Sequence, residues 1–147
     1  MSTIRTILEH KGNSFWYIDP YATVQAAVLR LNEKKIGALV VMDGDSLVGI
    51  FSERDLVRLL AQQGPACLAK QVGEVMTNPV YCVRMGTTVD ECMALMTEKQ
   101  IRHVPVVEGK EVMGVVSNRD VVQEAISHRE SLLTGIDVLA ANHQFPT

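Results

Sequence analysis

The sequence predicts an α+β protein made of two β-α-β-β-α repeats, packed with pseudo-twofold symmetry into one module. The first observation behind this is a motif. Gly49-Ile50-Phe51-Ser52-Glu53-Arg54-Asp55 returns as Gly114-Val115-Val116-Ser117-Asn118-Arg119-Asp120, both of the form G-h-h-S-x-R-D with h a large apolar residue. The second is spacing. The motifs lie 65 residues apart, and the same offset lays Thr23-Val24 on Thr88-Val89, Glu33-Lys34 on Glu98-Lys99, Ile36 on Ile101 and Gly44 on Gly109 without a gap. The third is that each copy alternates strand-like runs with helical periodicity in the same order.

The elements follow in turn. Ile4, Ile7 and Leu8 have the spacing of a short amphipathic helix over 2–9, which Gly12-Asn13-Ser14 breaks. Phe15 to Ile18 is rich in β-formers and closes at Asp19-Pro20. Thr23 is placed to cap a helix running to about Lys35, with Val24, Ala27, Val28 and Leu31 on its buried face. Ala38–Met42 and Leu47–Phe51 read as strands joined by the turn residues Asp43-Gly44-Asp45. Ser52 caps the next helix, whose apolar positions are Leu56, Leu59 and Leu60, and Gly64-Pro65 ends it.

Residues 65–79 connect the copies, with a helical turn expected over Val72–Thr77. The second copy should begin with a strand from Val80 to Val83. A helix starting at Thr88 follows, with Glu91 completing a capping box. Strands His103–Val107 and Glu111–Val116 then flank Glu108-Gly109-Lys110, and a helix follows Ser117. The predicted division is an arm over 1–14, repeats over 15–64 and 80–128 around the connection, and a C-terminal helix and tail over 129–147. That last helix carries Leu132, Leu133, Ile136 and Leu139. Units of this size are marginal alone, so the two copies are expected to bury faces against each other.

Composition excludes several classes of function. A net charge of −3 gives no general attraction for nucleic acid or an anionic membrane, so any anion must be held by locally placed arginines. No apolar run approaches the roughly 20 residues that cross a bilayer, and no signal peptide opens the chain; a soluble, cytoplasmic protein is expected. Cys67, Cys82 and Cys92 are odd in number and lack C-x-x-C spacing, which points to buried or half-buried free thiols. His10, His128 and His143 are scattered without metal-ligand spacing. There is neither a P-loop nor a G-x-G-x-x-G, and Ser117, His103 and Asp120 lack a nucleophile elbow, so no enzyme and no metal site are expected.

The duplicated G-h-h-S-x-R-D at a strand–helix junction resembles the CBS domain, which occurs in pairs known as Bateman modules. The resemblance spans about Phe15 to Ser127. Lys34-Lys35-Ile36-Gly37-Ala38-Leu39-Val40-Val41 and Lys99-Gln100-Ile101-Arg102-His103-Val104-Pro105-Val106 look like that family's helix-to-strand junctions, and Val75-Met76-Thr77 like its bridge between copies. The pattern is most similar to small stand-alone CBS pairs, some labelled inosine-monophosphate-dehydrogenase-related, although this chain has no room for that enzyme's catalytic barrel.

The resemblance implies a regulatory, ligand-sensing module. It would bind AMP, ADP or ATP, less typically NAD or S-adenosylmethionine, in clefts between the repeats, with no required cofactor. It further implies a homodimer formed through helices and an unidentified protein partner. Asp55 and Asp120 would hold ribose hydroxyls. Ser52, Arg54, Ser117 and Arg119 would meet phosphate, joined by Arg102 and His103. Ile36, Ala38, Thr87, Ile101, Val104 and Pro105 would form adenine slots. The chemistry is compatible: charge-assisted hydrogen bonds suit a carboxylate and a diol, and helix N-terminal amides suit phosphate.

Each assignment has a plainer counterpart. S-x-x-D before an apolar run is also a capping box, and Ile36 and Ile101 also suit ordinary core packing. His103 is read either as a structural histidine or as a phosphate reader strengthened by mild acid. Gly49 and Gly114, costly inside strands, are read as room for a ligand to approach the backbone. Arg102-His103 in the second copy replaces Gly37-Ala38 in the first, so the clefts should be unequal, the better anion site lying beside Arg102 and His103. The alternative to a sensor is a structural adaptor with vestigial clefts.

Overall fold

The computed structural model describes residues 2–127, so the C-terminal helix and tail expected over 129–147, with His128 and His143, lie outside the described residues. Helix α1 (Ile4–Lys11) leads into β1 (Tyr17–Ile18), α2 (Val24–Lys34), β2 (Ala38–Asp43), β3 (Ser46–Ser52) and α3 (Glu53–Gln63). A 3-10 turn over Gly64–Ala69 and the single-turn α4 (Val72–Val75) make the connection, and α5 (Val89–Lys99), β4 (His103–Glu108), β5 (Glu111–Ser117) and α6 (Asn118–Ile126) complete the second copy. No helix among these residues is long and apolar enough to cross a membrane.

The repeat is visible in the details that start and stop each element. Thr23 and Thr88 accept from the amides three residues on, capping α2 and α5. Lys35 and Gln100 end the same helices at φ 55°, the left-handed conformation that satisfies terminal carbonyls. Gly44 and Gly109 take φ +62° at the tips of the β2–β3 and β4–β5 hairpins, where other residues are strained. Both hairpins carry an irregularity at the same point, between Val41 and Met42 and between Val106 and Val107.

Three expectations need correction. The first strand begins only at Tyr17, so its sheet is completed by the parallel pairing of Tyr17-Ile18 with Val40-Val41. Val80–Val83 is not a strand. Val83 alone pairs, with Val106, because the Thr87 hydroxyl and the Glu108 carboxylate capture the next two amides, those of Arg84 and Met85, and turn the chain away. The second sheet is therefore two-stranded. Leu60 is 38% exposed, while Leu59 is buried and Leu56 half-buried on α3.

The repeats also do not share a single core. One cluster gathers Ile18, Val24, Ala27, Leu31, Leu39, Val41, Phe51 and Leu59 of the first copy with Cys67 and Val72 of the connection. The other gathers Val89, Cys92, Met96, Val104, Val106, Val116 and Val121 of the second copy with Ile4, Ile7 and Leu8 of α1. Each copy is thus closed by the segment preceding the other copy, at about 1.5–3 kcal/mol for each large apolar side chain buried. The seams match: the amides of Ile4 and Arg5 donate to Thr87 and Met85, and those of Val72 and Gly73 donate to Ala22 and Pro20, each at 2.8–3.0 Å. Val89 donates back to Ser2 as Val24 does to Lys70.

These seams explain the strand glycines. A Cβ on Gly49 would collide with the Met76 sulfur and lie 3.1 Å from the Thr77 carbonyl. A Cβ on Gly114 would lie 3.0 Å from Leu8 Cδ2. The space that the sequence suggested for a ligand is filled by the closing segments.

Candidate functional site

A cavity of about 610 Å³ opens where the first copy's α2–β2 junction faces the second copy's β5–α6 junction. Its volume is in the range of small-molecule sites. The left-handed turn at Lys35 throws Ile36-Gly37-Ala38 across its floor, and Phe15 and Trp16, entering β1, line it beside them. Arg102 and His103 enter β4, Val115 lies on β5, and Ser117, Asn118, Arg119 and Asp120 start α6. Lys11, at the end of α1, completes the lining that concerns charge.

Seven predicted residues, Ile36, Ala38, Arg102, His103, Ser117, Arg119 and Asp120, meet in this one cavity. Arg54 and Ile101 instead line a shallower depression of about 390 Å³ with Gln100, Arg102 and Asn118. Ser52 and Asp55 line neither. Val104 and Pro105 are fully buried within the hairpin and present no surface for a base. Thr87 is spent on its own turn, its hydroxyl accepting from Arg84 and its carbonyl from Ile4. The sequence reading missed Lys11, Lys35, Phe15, Trp16, Asn118 and Val115. For Trp16 a signal existed: it matches Tyr81 at the repeat offset, and each ring carries a lysine, Lys34 and Lys99, at 4.2 and 5.4 Å from its centroid.

Both capping boxes are formed. Ser52 and Ser117 accept from the Asp55 and Asp120 amides, while each aspartate accepts from its serine's amide. What differs is the other side of each carboxylate. Thr77 forms a two-bond bridge with Ile50 on the edge of β3, and its hydroxyl donates to Asp55 Oδ1 at 3.1 Å, so both oxygens of Asp55 are engaged. In the second copy no backbone bridge is made to Val115 among the described residues. The Lys11 ammonium instead donates to the Val115 carbonyl at 3.0 Å and to Asp120 Oδ2 at 2.7 Å. Oδ2 also accepts from Ser117 N–H at 2.8 Å, and Oδ1 has no hydrogen-bond partner among the described residues.

Burial pushes the Asp120 carboxyl up, but the bonds from Lys11 and Ser117 outweigh it and hold the group below the usual carboxylate range. His103 is shifted in the direction that favours its neutral form. Burial depresses it below the ordinary histidine value, outweighing Glu53 and Asp120, so it is neutral at neutral pH. Its ring packs on the first copy, where a Cβ on Gly37 would lie 3.0 Å from Cε1 and Nε2. Among the described residues the lining sets one carboxylate, Asp120, against Lys11, Lys35, Arg102 and Arg119, a cationic balance in a chain of net negative charge. It suits a ligand with an apolar ring, a hydrogen-bonding neutral part and an anionic end.

Among the described residues no cluster of histidine, cysteine and carboxylate side chains is arranged to hold a metal. Cys67 and Cys92 are buried, whereas Cys82 is exposed. Burial pushes the Cys92 thiol up to about 11, which leaves it unreactive.

The family model for the CBS domain matches residues 13–62 and 72–127. Over 141 residues the chain is 36% identical to the CBS domain-containing protein CBSX3, mitochondrial, of Arabidopsis thaliana, covering 89% of this chain and 68% of that protein. The chain spans 39–68% of the first curated relatives it matches. Its fold is similar to the CBS-domain containing protein ATU1752 from Agrobacterium tumefaciens, with a TM-score of 0.83 and 38% identity over 85% of this chain and 94% of that one. It is also similar to CBSX2, solved in complex with AMP, with a TM-score of 0.72 and 27% identity over 86% and 98% of the two chains.

Proposed function

The chain belongs to the CBS-domain family, and on that premise we propose that it is a regulatory module that binds an adenine nucleotide in the larger cavity. A likeness to small inosine-monophosphate-dehydrogenase-related CBS pairs belongs to the same reading. Asp120 accepts from both ribose hydroxyls, one on the unpartnered Oδ1 and one on Oδ2, which Lys11 and the Ser117 amide already share. The phosphate lies at the start of α6, against the Ser117–Arg119 backbone and near Arg102, Lys35 and His103. The base packs on Ile36, Ala38 and Val115. One observation carries this reading: a cavity of about 610 Å³ holds an apolar floor, a carboxylate oxygen without a partner among the described residues, and a ring of cations. The AMP held by CBSX2, a relative of the same fold, supports the ligand class. Occupancy acts by differential affinity, favouring one arrangement of the copies for a partner to read.

Calorimetric titration with AMP, ADP, ATP, NAD and S-adenosylmethionine tests it. Asp120→Ala is expected to lose about 2 kcal/mol of binding, roughly thirtyfold in Kd. Asp55→Ala, altering a carboxylate already occupied by Ser52 and Thr77, should keep its affinity. Absence of saturable binding to all five compounds by folded protein, or equal losses in the two variants, would overturn the reading.

A second role, association through helices, is supported by apolar side chains at matching places on two of them. Val57 is 67% exposed on α3, and Val122, its counterpart on α6, is 41% exposed near Ile126. We assign these faces to a homodimer. Sedimentation of Val57→Glu as monomer, with the native chain as dimer, is the expected result; a monomeric native chain sinks the assignment.

A further inference from the structure

We propose that Lys11 is a specificity-determining residue of the cavity, an internal cation that makes it select a nucleotide over the corresponding nucleoside. The inference rests on the nucleotide reading above and adds a residue from outside both repeats. Lys11 ends α1, and its ammonium has two protein acceptors, Asp120 Oδ2 at 2.7 Å and the Val115 carbonyl at 3.0 Å. The same oxygen, Asp120 Oδ2, accepts from the Ser117 amide at the start of α6. One atom therefore joins the ammonium, the carboxylate and the helix terminus.

A diol that takes both oxygens of Asp120 competes with Lys11 for Oδ2. A neutral nucleoside disturbs this ion pair, whose carboxylate is 18% and whose lysine side chain is 37% exposed, and offers the ammonium no anion in return. A nucleotide brings a phosphate to the neighbouring helix terminus, and Lys11 exchanges a carboxylate for a phosphate oxygen. The first copy has no such exchange. Its corresponding group is the Thr77 hydroxyl, which is uncharged and belongs to a chain segment fixed to β3 by two backbone bonds.

The experiment is calorimetry of the full chain with two probes, AMP and adenosine, on the native protein, Lys11→Met and Lys11→Arg. The native protein should prefer AMP strongly. In Lys11→Met the ratio of the two affinities should fall at least tenfold, because adenosine binds equally well or better while AMP binds more weakly. Lys11→Arg, which keeps the charge, should restore most of the ratio and guards against a variant that merely loosens α1. Equal weakening of both probes, or an unchanged ratio, overturns the inference while the nucleotide reading stands, provided AMP still binds the native chain and is lost in Asp120→Ala. If AMP does not bind the native chain at all, the nucleotide reading and the role of Lys11 both fail.

Discussion

The two S-x-R-D junctions share serine, arginine and aspartate, the same capping box and the same strand glycine, and differ at x as Glu53 and Asn118, yet only one opens onto the large cavity. The difference comes from what lies against them. Beside Asp55, the chain leaving α4 runs along the edge of β3 and Thr77 closes it. Beside Asp120, the longer α1 ends in Lys11, and one flexible ammonium takes the place of a strand. A motif therefore specifies a helix start, and the neighbouring segment determines whether that start is a joint or a site.

Substitutions in the closing segments should separate the copies most strongly. Ile4→Ala removes a fully buried side chain from the second core and should cost about 3 kcal/mol. Hydrogen exchange should show the loss concentrated in α5 and α6, although residue 4 precedes the first copy. Equal loosening of α2 and α3 would contradict two separate cores.

Next in size is a contrast between the glycines. Gly49→Ala meets the Met76 side chain and a backbone carbonyl, and should cost roughly 2 kcal/mol on denaturant unfolding. Gly114→Ala crowds the flexible end of Leu8, with Asn13 Cα at an ordinary 3.7 Å, and should cost about half as much. Similar values would mean that the two seams are equally rigid.

Acid gives the smallest effect. Because the Asp120 carboxyl is depressed in the fold, its contribution is fully present above the ordinary aspartate value and is lost as pH falls through its lower folded value. Lys11→Met should flatten stability in that window. His103 is also depressed, so stability is complete above the ordinary histidine value and declines as pH falls below it. His103→Gln should remove that decline; a decline that persists would assign it elsewhere.

What could be read from the sequence follows from distance along the chain. Repeats, caps and hairpin turns are local patterns, so Thr23, Thr88, Gly44 and Gly109 announce themselves. Asp120 and Ser117 were legible as a pair because one helix turn brings them together. Lys11 was not, because its partner is more than a hundred residues away and reached only when α1 crosses to the other copy. The glycines were legible as places of close approach, but not what approaches them. Val104 and Pro105 resembled slot residues because their run looks the same whether it faces a ligand or a core; burial on both faces of β4 decides for the core. Val80–Val83 resembled a strand by composition, and side chains 3 and 23 residues from the amides they capture ended it after one bridge.

The crossed closing segments have the pattern of an exchange between chains. A chain holding one copy would carry ahead of its repeat a segment that fits only another chain's repeat, because α1 closes the second unit and α4 closes the first. Two such chains would complete one another by reciprocal exchange of their leading arms, the arrangement of a domain-swapped dimer. Within one polypeptide the protein has the same reciprocal exchange of arms. Both arms are seams, and the α1 arm in addition carries a lysine to the cavity.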